Sequence, residues 1–437
     1  MPVYYLLAAP LTLAITLSAA CHADTLKPEI ICRSDNAMVC QQANTQLFAS
    51  IPDIYPTLKY VLANAEQYRL QIQYTQIIRD ESQVPQLISY RLGVDEQLYH
   101  YPASTVKLPV AALALEWLEQ QEAPLDVDTT WHTFSSRESQ VEVTKDSDAV
   151  GQRPTLQHYI KQVLMVSDNP GFNRMYELLG QDHINQQLRS KGLSSATINH
   201  RLSMPMTAEE NRHFNPMAFV NPQGETVLEL SARYSSTSYP NALAPLLGQR
   251  YYQAGELIEQ SMDFTDKNRL SIVDLSGVIE RLIFPQLFST EQQFHINETH
   301  RALLLRYMAM FPSESQQPDY ASKDIADNRY KYVKFGGVAQ SIPTQQRWLN
   351  KIGSAYGFLT DAGYFIDLEH GIEFFVTATV YVNENETLND DTYEYQQIGI
   401  PFHRELGEYL YHYELNRARS VSADLSFWQQ LIGDFAQ

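Results

Sequence analysis

The sequence predicts an α/β fold of the mixed (α+β) kind, with strands near both ends of the chain and helices between them. Residues 70–78 and 86–92 are rich in β-branched and aromatic residues, which is typical of strands. Residues 363–367 and 372–382 near the end of the chain have the same character. Between these segments, apolar residues recur at helical spacing. Because the sequence shows no linker between separate domains, we expect one mixed body.

A long apolar segment indicates where the central helix begins. Residues 108–118 are apolar almost all round, which predicts a helix buried in the core. Pro109 lacks a backbone N–H and is tolerated only near a helix start, so this helix begins close to Ser104. The other elements that periodicity predicts are helices at 41–50, 56–66, 154–166, 172–179, 271–284, 298–310 and 404–415, and a strand at 96–101.

Composition excludes some classes of function. The chain has 437 residues, of which 44% are hydrophobic and 19% are charged, so it can bury a large core. The net charge of -19 argues against a nucleic-acid partner, because nucleic-acid binding requires a basic face. The same charge disfavours binding to anionic lipid. We therefore expect a soluble monomer.

The first residues differ from the rest of the chain. Residues 1–20 carry no charged side chain, residues 6–20 are almost continuously apolar, and small residues follow. This pattern predicts a signal peptide at 1–23, although its first residues lack the usual Lys or Arg. We expect an exported protein, periplasmic or envelope-associated, with a mature domain at 24–437. A lipid anchor on Cys21 stays open, because the residues before it are close to a lipoprotein signal, with Leu17 one place too far from Cys21.

Two cysteines lie within the mature chain. Cys32 and Cys40 are eight residues apart, and in an exported protein such a pair predicts a local disulfide. Two free or buried thiols are the alternative. The sequence contains no Cys-x-x-Cys spacing, and its 12 histidines show no ligand pattern. No metal or cofactor is predicted.

Two short motifs about sixty residues apart carry the chemistry. Ser104 and Lys107 form a Ser-x-x-Lys at the start of the apolar helix, so hydroxyl and amine lie one turn apart on the same face. That arrangement suits a serine nucleophile whose proton is taken by a lysine. Ser167-Asp168-Asn169 is the motif that accompanies such a pair. The structural alternatives are a capping serine with a solvated lysine, and a helix-capping turn.

On these motifs the chain resembles the serine β-lactamase and penicillin-binding protein superfamily, especially its class A β-lactamase branch. The similarity extends to the helix start at 154–156, to Asn173, and to His200-Arg201-Leu202, which looks like the start of the family's Ω-loop. The resemblance implies a β-lactamase/DD-peptidase-like fold, with an antiparallel sheet flanked by helices and an all-helical subdomain.

The resemblance also implies a role for each residue of the motifs. Ser104 would be the acylated nucleophile and Lys107 its base. Ser167 would pass a proton to the leaving nitrogen, and Asn169 would hold the lysine and the substrate amide. The backbone N–H groups of Ser104 and Ser354 would form the oxyanion hole.

The family's third motif, Lys-Thr-Gly or Lys-Ser-Gly on a strand, has two candidates here. One begins at Lys334 and the other is Lys351-Ile352-Gly353. We assign the second, because Ser354, two strands and the closing helix follow it in the family's order. Lys351 would supply positive charge for a substrate carboxylate; a surface lysine is the alternative. Ile352 departs from the family, which has a hydroxyl residue there.

A second departure concerns the Ω-loop. Class A enzymes carry a glutamate a few residues after the position of Arg201, and this acid activates the deacylating water. Residues 201–206 contain no acid, whereas Glu209 and Glu210 come later. Either could be brought in by a reshaped loop, and an exposed pair of acids is the alternative. Residues 211–269 have weak periodicity, which indicates an insertion or cap.

We therefore expect an exported, class A β-lactamase-like serine hydrolase that forms an acyl-enzyme on Ser104, with β-lactam hydrolysis as its activity. The alternatives are a D-Ala-D-Ala peptidase or an esterase of the same fold, and a non-catalytic envelope protein that binds such ligands. Its partner would be a β-lactam, another small molecule or a cell-wall peptide.

Overall fold

The computed structural model describes residues 27–34, 36–338 and 341–433. The strands are β1 (Glu29–Arg33), β2 (Gln71–Arg79), β3 (Pro85–Leu92), β4 (Thr130–Thr133), β5 (His213–Phe214), β6 (Met217–Val220), β7 (Thr226–Leu230), β8 (Arg233–Tyr234), β9 (Leu246–Leu247), β10 (Arg250–Gln253), β11 (Glu256–Ile258), β12 (Met262–Asp263), β13 (Gln346–Ala355), β14 (Phe358–Asp367), β15 (Ile372–Tyr381) and β16 (Thr387–Leu388). The helices are α1 (Ala37–Cys40), α2 (Pro56–Ala63), α3 (Lys107–Glu119), α4 (Leu156–Met165), α5 (Asn169–Ser190), α6 (Ile272–Ile283), α7 (Glu298–Ala309), α8 (Ile400–Asn416) and α9 (Ser426–Gly433).

The principal sheet joins the two ends of the chain. Its strand order is β1-β3-β2-β15-β14-β13, and every neighbouring pair is antiparallel. Strands β2 and β15 meet at its centre, so the N-terminal and C-terminal strands belong to one sheet. Strand β13 forms one edge, and therefore half of its backbone groups have no strand partner. The mixed fold and the antiparallel sheet predicted from the sequence are confirmed.

Both faces of the sheet are covered by helices. Successive side chains of a strand point to opposite faces. Accordingly, Phe374 belongs to the core that the sheet forms with α2 and α8, whereas Phe375 belongs to the core that contains α3 to α7. Helix α3 lies inside the second core and is buried from Lys107 to Glu116. The apolar run at 108–118 therefore forms the buried helix that it predicts.

Some predicted elements are wrong or shifted. Residues 41–50 form turns, because the Asn44 side chain accepts a hydrogen bond from the Gln46 backbone N–H (3.0 Å) and closes a turn. Residues 96–101 are not a strand, since the Asp95 side chain accepts a hydrogen bond from the Gln97 backbone N–H (2.8 Å) and closes a second such turn. By contrast, the predicted stop of the helix at Gly180 is confirmed: Gly180 has a non-helical backbone (φ 77°), and a second helical stretch follows it within α5.

The segment at 211–269 contains short strands rather than helices. Its hairpin β10–β11 pairs through β10 with β16, and so attaches the segment to the loop after β15. Phe264 contacts Tyr101 and Tyr356, with ring centroids 5.9 and 5.1 Å apart. These contacts place the segment beside the residues that flank Ser104.

The predictions about the N-terminus have different outcomes. Cys32 and Cys40 form the predicted disulfide, which ties β1 to α1. The signal peptide and Cys21 lie outside the described residues. Within the ranges that the structure describes, none of the helices has the length and apolar character needed to span a membrane.

Candidate active site

Ser104 lies in a short 3₁₀-helix, Ala103–Val106, that leads directly into α3. Ala103, just before it, has a left-handed backbone (φ 46°), a conformation that costs a non-glycine residue about 1 kcal/mol. On the other side Gly353 of β13 approaches so closely that a Cβ there would stand 2.4 Å from the Pro102 carbonyl oxygen. Only glycine therefore fits at position 353. Because glycine has no side chain, the edge strand can pack directly against the turn that carries Ser104.

The Lys107 amine is buried in the first turn of α3. Its Nζ donates hydrogen bonds to the Ser167 carbonyl oxygen and to Asn169 Oδ1 (2.6 Å), and it lies 3.3 Å from Ser167 Oγ. Burial lowers the pKa of Lys107 to about 7, partly opposed by the negative charge of Asp168. A neutral amine has two N–H donors and one lone pair. The Ser167 carbonyl oxygen and Asn169 Oδ1 accept hydrogen bonds from the two N–H groups, so the lone pair of Lys107 Nζ is free to accept a proton.

The segment from Ser167 to Asn169 connects α4 to α5. Ser167 has a left-handed backbone (φ 58°), and Asp168 caps α5 by accepting a hydrogen bond from the Gly171 N–H (2.6 Å). The strained turn directs both the Ser167 carbonyl and the Asn169 side chain at Lys107. A helix-capping turn and a contact with Lys107 are thus both present in this segment.

Lys351 lies on β13, next to Ser167. Its Nζ donates to Ser167 Oγ (2.8 Å) and to the Ile352 carbonyl oxygen (3.0 Å), and only 2% of the residue is exposed. Burial and the positive charge of Lys107 hold the pKa of Lys351 well below its usual range. Lys334, the alternative, lies in a turn, with its amine 4.3 Å from the centroid of the Tyr411 ring.

Ser354 is exposed on the edge strand and faces the cleft that contains Ser104. The turn after it is held by Tyr395, whose Oη accepts a hydrogen bond from the Gly357 N–H (2.9 Å). The structure thus brings all seven predicted site residues into one region: Ser104, Asn169 and Ser354 line the cleft, Lys107, Ser167 and Lys351 form a bonded cluster beside it, and Gly353 supports the turn. Their roles in the reaction stay predictions.

The loop after Arg201 presents a serine to the cleft. The Arg201 guanidinium is buried and donates to Glu177 Oε1 (2.8 Å), while Asn173 exchanges hydrogen bonds with both backbone groups of Leu202. These bonds hold Ser203, whose Oγ accepts from Asn169 Nδ2 (2.8 Å). Ser203 therefore lies beside Asn169, and the side chain that it presents to the cleft is a hydroxyl rather than a carboxylate.

The two later acids do not line this cleft. Glu209 has a half-exposed side chain that pairs with Arg212 (3.2 Å) and lies 3.4 Å from the imidazole of His213. Glu210 accepts hydrogen bonds from Thr207 at the surface. Both belong to the exposed pair that the sequence left as an alternative.

The cleft has a volume of about 430 Å³ and an aromatic wall that the sequence motifs do not include. Tyr356, Tyr393 and Tyr395 form this tyrosine wall, and Asp391 lies beside it. The signal in the sequence is a cluster of tyrosines and acids between the last long strand and the closing helix. The residues of that cluster do not by themselves indicate that β16 pairs with β10, the pairing that brings the loop to the cleft of Ser104.

The fold and the arrangement of these residues define a class, the serine hydrolases of β-lactamase type. The sequence profile of the beta-lactamase enzyme family matches residues 58–298. The chain belongs to this family. Lys351, Gly353 and Ser354 lie beyond the matched residues.

Solved structures similar to this chain include three described as β-lactamases. The one from Burkholderia vietnamiensis is 11% identical, with a TM-score of 0.46, and the match covers 84% of this chain and 99% of that one. For Streptomyces albus G the identity is 16%, the TM-score 0.42 and the coverages 82% and 99%. The one from Sphaerobacter thermophilus is 14% identical, with a TM-score of 0.42, and the match covers 81% of this chain and 97% of that one. No curated protein sequence matches the chain.

Proposed function

We propose that this protein hydrolyses β-lactams through an acyl-enzyme on Ser104. The observation that carries the proposal is the buried Lys107 amine, one helical turn from Ser104, with its two N–H groups engaged and its pKa lowered to about 7. A lysine of that pKa is a suitable general base near neutral pH.

In the first step Ser104 Oγ attacks the lactam carbonyl carbon, and its proton passes to Lys107 Nζ. The negative charge that develops on the carbonyl oxygen is stabilised by the backbone N–H groups of Ser104 and Ser354. The C–N bond then breaks, and the leaving nitrogen takes a proton from Ser167 Oγ. Ser167 is restored by the proton held on Lys107, with which it is in contact (3.3 Å).

In the second step water cleaves the ester on Ser104 and releases the acid. The Ser203 hydroxyl cannot act as the carboxylate base that class A enzymes use, and the two later acids do not line the cleft. We therefore expect acylation to be faster than deacylation.

Three substrates of one assay series test the proposal. We would measure Ser104-dependent turnover of a chromogenic cephalosporin, an aryl ester and a D-alanyl-D-alanine peptide, each with the wild type and with Ser104→Ala. Lactam turnover that disappears in Ser104→Ala supports the proposal. Turnover of the peptide alone would instead make the protein a peptidase of this fold. Failure of all three substrates, with ligand binding retained, would make it a non-catalytic binding protein.

Export is a second, separate proposal. The apolar segment at 1–20 and the disulfide between Cys32 and Cys40 support an oxidising compartment such as the periplasm. Cell fractionation, with mass measurement of the mature N-terminus, tests both the cleavage site and a lipid on Cys21.

A further inference from the structure

We infer that the acyl compound attacked by Ser104 carries a cationic group, which binds to Asp391 and the tyrosine wall. The inference rests on the proposed acyl-enzyme function, because it specifies the substrate of the same cleft.

Asp391 is the one charged residue among the thirteen described residues that line the cleft. It is exposed, and within the described part of the chain its carboxylate has no hydrogen-bond or ion-pair partner. An unpaired carboxylate in a concave site attracts a cation and repels an anion, and the low-dielectric walls strengthen both effects.

The positive charges of the site do not reach the cleft surface. Lys107 and Lys351 are 0% and 2% exposed, and their amines are bonded to Ser167, Asn169 and the Ile352 carbonyl. Burial lowers the pKa of both lysines. A substrate entering the cleft therefore meets a negative surface charge and no exposed positive one among the described lining residues.

The tyrosine wall adds a second attraction for a cation. The rings of Tyr393 and Tyr395 lie 5.2 Å apart, and the Tyr356 ring lies 5.0 Å from that of Tyr101. Burial raises the pKa of Tyr393 and Tyr395, so both phenols stay neutral at physiological pH. The faces of such rings attract ammonium groups. Lys267 already occupies a position 5.9 Å over Tyr356, outside the cleft lining.

There is room for an extended group at Asp391. A second cleft of about 740 Å³ shares Asn389 and Asp391 with the first and is bounded by the β10–β11 hairpin. Arg250, which lines the second cleft, donates its Nε to Thr387 Oγ1 (2.9 Å) rather than to Asp391. The carboxylate is therefore open to a ligand from both clefts.

A matched pair of esters isolates the effect of charge. The p-nitrophenyl esters of 6-(trimethylammonio)hexanoic acid and 7,7-dimethyloctanoic acid have the same shape and differ by one positive charge far from the reacting carbonyl. The monoester of pimelic acid supplies the anionic case. We would measure kcat/KM for each ester with the full chain and subtract the rate of Ser104→Ala.

We expect the cationic ester to be preferred over its neutral isostere by about ten-fold, from one exposed ion pair and one cation–π contact. The anionic ester should react more slowly than the neutral one. Asp391→Asn should reduce the cationic preference to about three-fold, the part left to the tyrosine wall. Glu256→Gln removes an exposed negative charge outside the cleft lining, and should leave the preference unchanged.

The outcomes separate the two proposals. Ser104-dependent reaction of all three esters without charge preference, or with preference for the anionic one, would overturn the inference and leave the acyl-enzyme function standing. Equal loss of preference in Asp391→Asn and Glu256→Gln would also overturn it, because only long-range charge would then act. Absence of any Ser104-dependent reaction with the esters, while lactam turnover persists, would overturn the inference alone, whereas absence of both reactions would overturn the inference together with the proposed function.

Discussion

The pH dependence of acylation follows from the environment of Lys107. Its pKa is lowered from 10.5 to about 7 by burial, so about three quarters of the amine is neutral at pH 7.5. A solvated lysine would be neutral in about one molecule per thousand at that pH. The burial of Lys107 thus raises the concentration of the free base about 750-fold.

The sign of the effect is fixed by which form accepts a proton. Only the neutral amine can take the Ser104 proton, so the acylation rate should rise ten-fold per pH unit below pH 7 and level off above about pH 8. Stopped-flow measurement of acylation by a chromogenic cephalosporin between pH 5 and 10 checks this. A rate that keeps rising to pH 10, or one that is flat throughout, would show that Lys107 with a lowered pKa is not the base.

Two variants distinguish Lys107 from other lysines. Lys107→Arg should abolish acylation, since a guanidinium stays protonated at every pH of the profile. Lys161 also has a pKa lowered by burial, to about 8, but it lines a different cleft, and its amine donates to the Gln317 carbonyl (2.6 Å). Lys161→Arg should therefore leave the profile unchanged.

Three further predictions concern the surroundings of Ser104. Gly353→Ala places a Cβ 2.4 Å from the Pro102 oxygen and should slow acylation about 100-fold, whereas Gly433→Ala, with nothing within 4 Å, should not; equal rates would contradict the close approach. Ser203→Glu adds an acid beside Asn169 and should shorten the life of the acyl-enzyme at least about ten-fold, followed by mass spectrometry; an equal effect of Ser203→Gln would exclude base catalysis. Glu177→Gln leaves the buried cations of Arg174 and Arg201 without their carboxylate and should lower the free energy of unfolding by about 3–5 kcal/mol in urea, and a loss below about 1 kcal/mol would contradict this.

The sequence predicts the parts of the site that depend on local structure. Ser104 and Lys107 are placed by the first turn of one helix, and Asn169 by the first turn of another, so spacing alone relates them to their helices. Four of the six strands of the principal sheet, β2, β3, β14 and β15, are also evident from composition, whereas β1 and β13 are not. Local spacing does not show that these two helix starts face the same edge strand. That relation comes from the resemblance to the family.

The remaining parts of the site depend on contacts between distant segments. Asp391 and the tyrosine wall reach the cleft because β16 pairs with β10, more than a hundred residues earlier. Ser203 lies against Asn169 because two contacts with α5 fix the loop. Asn173 of α5 bonds to the backbone of Leu202, and Arg201 of the loop bonds to Glu177 of α5. No periodicity or motif encodes such pairings, so a single sequence gives little sign of them.

Acylation of Ser104 can be observed by measuring the mass of the intact protein. The protein would be incubated with a penicillin, sampled from seconds to hours, and compared with Ser104→Ala. We expect an adduct equal to the mass of one intact penicillin, located on the peptide that contains Ser104 and absent from the variant. An adduct that forms equally on Ser104→Ala, or the lack of both adduct and hydrolysed product with the wild type, would contradict acylation of Ser104.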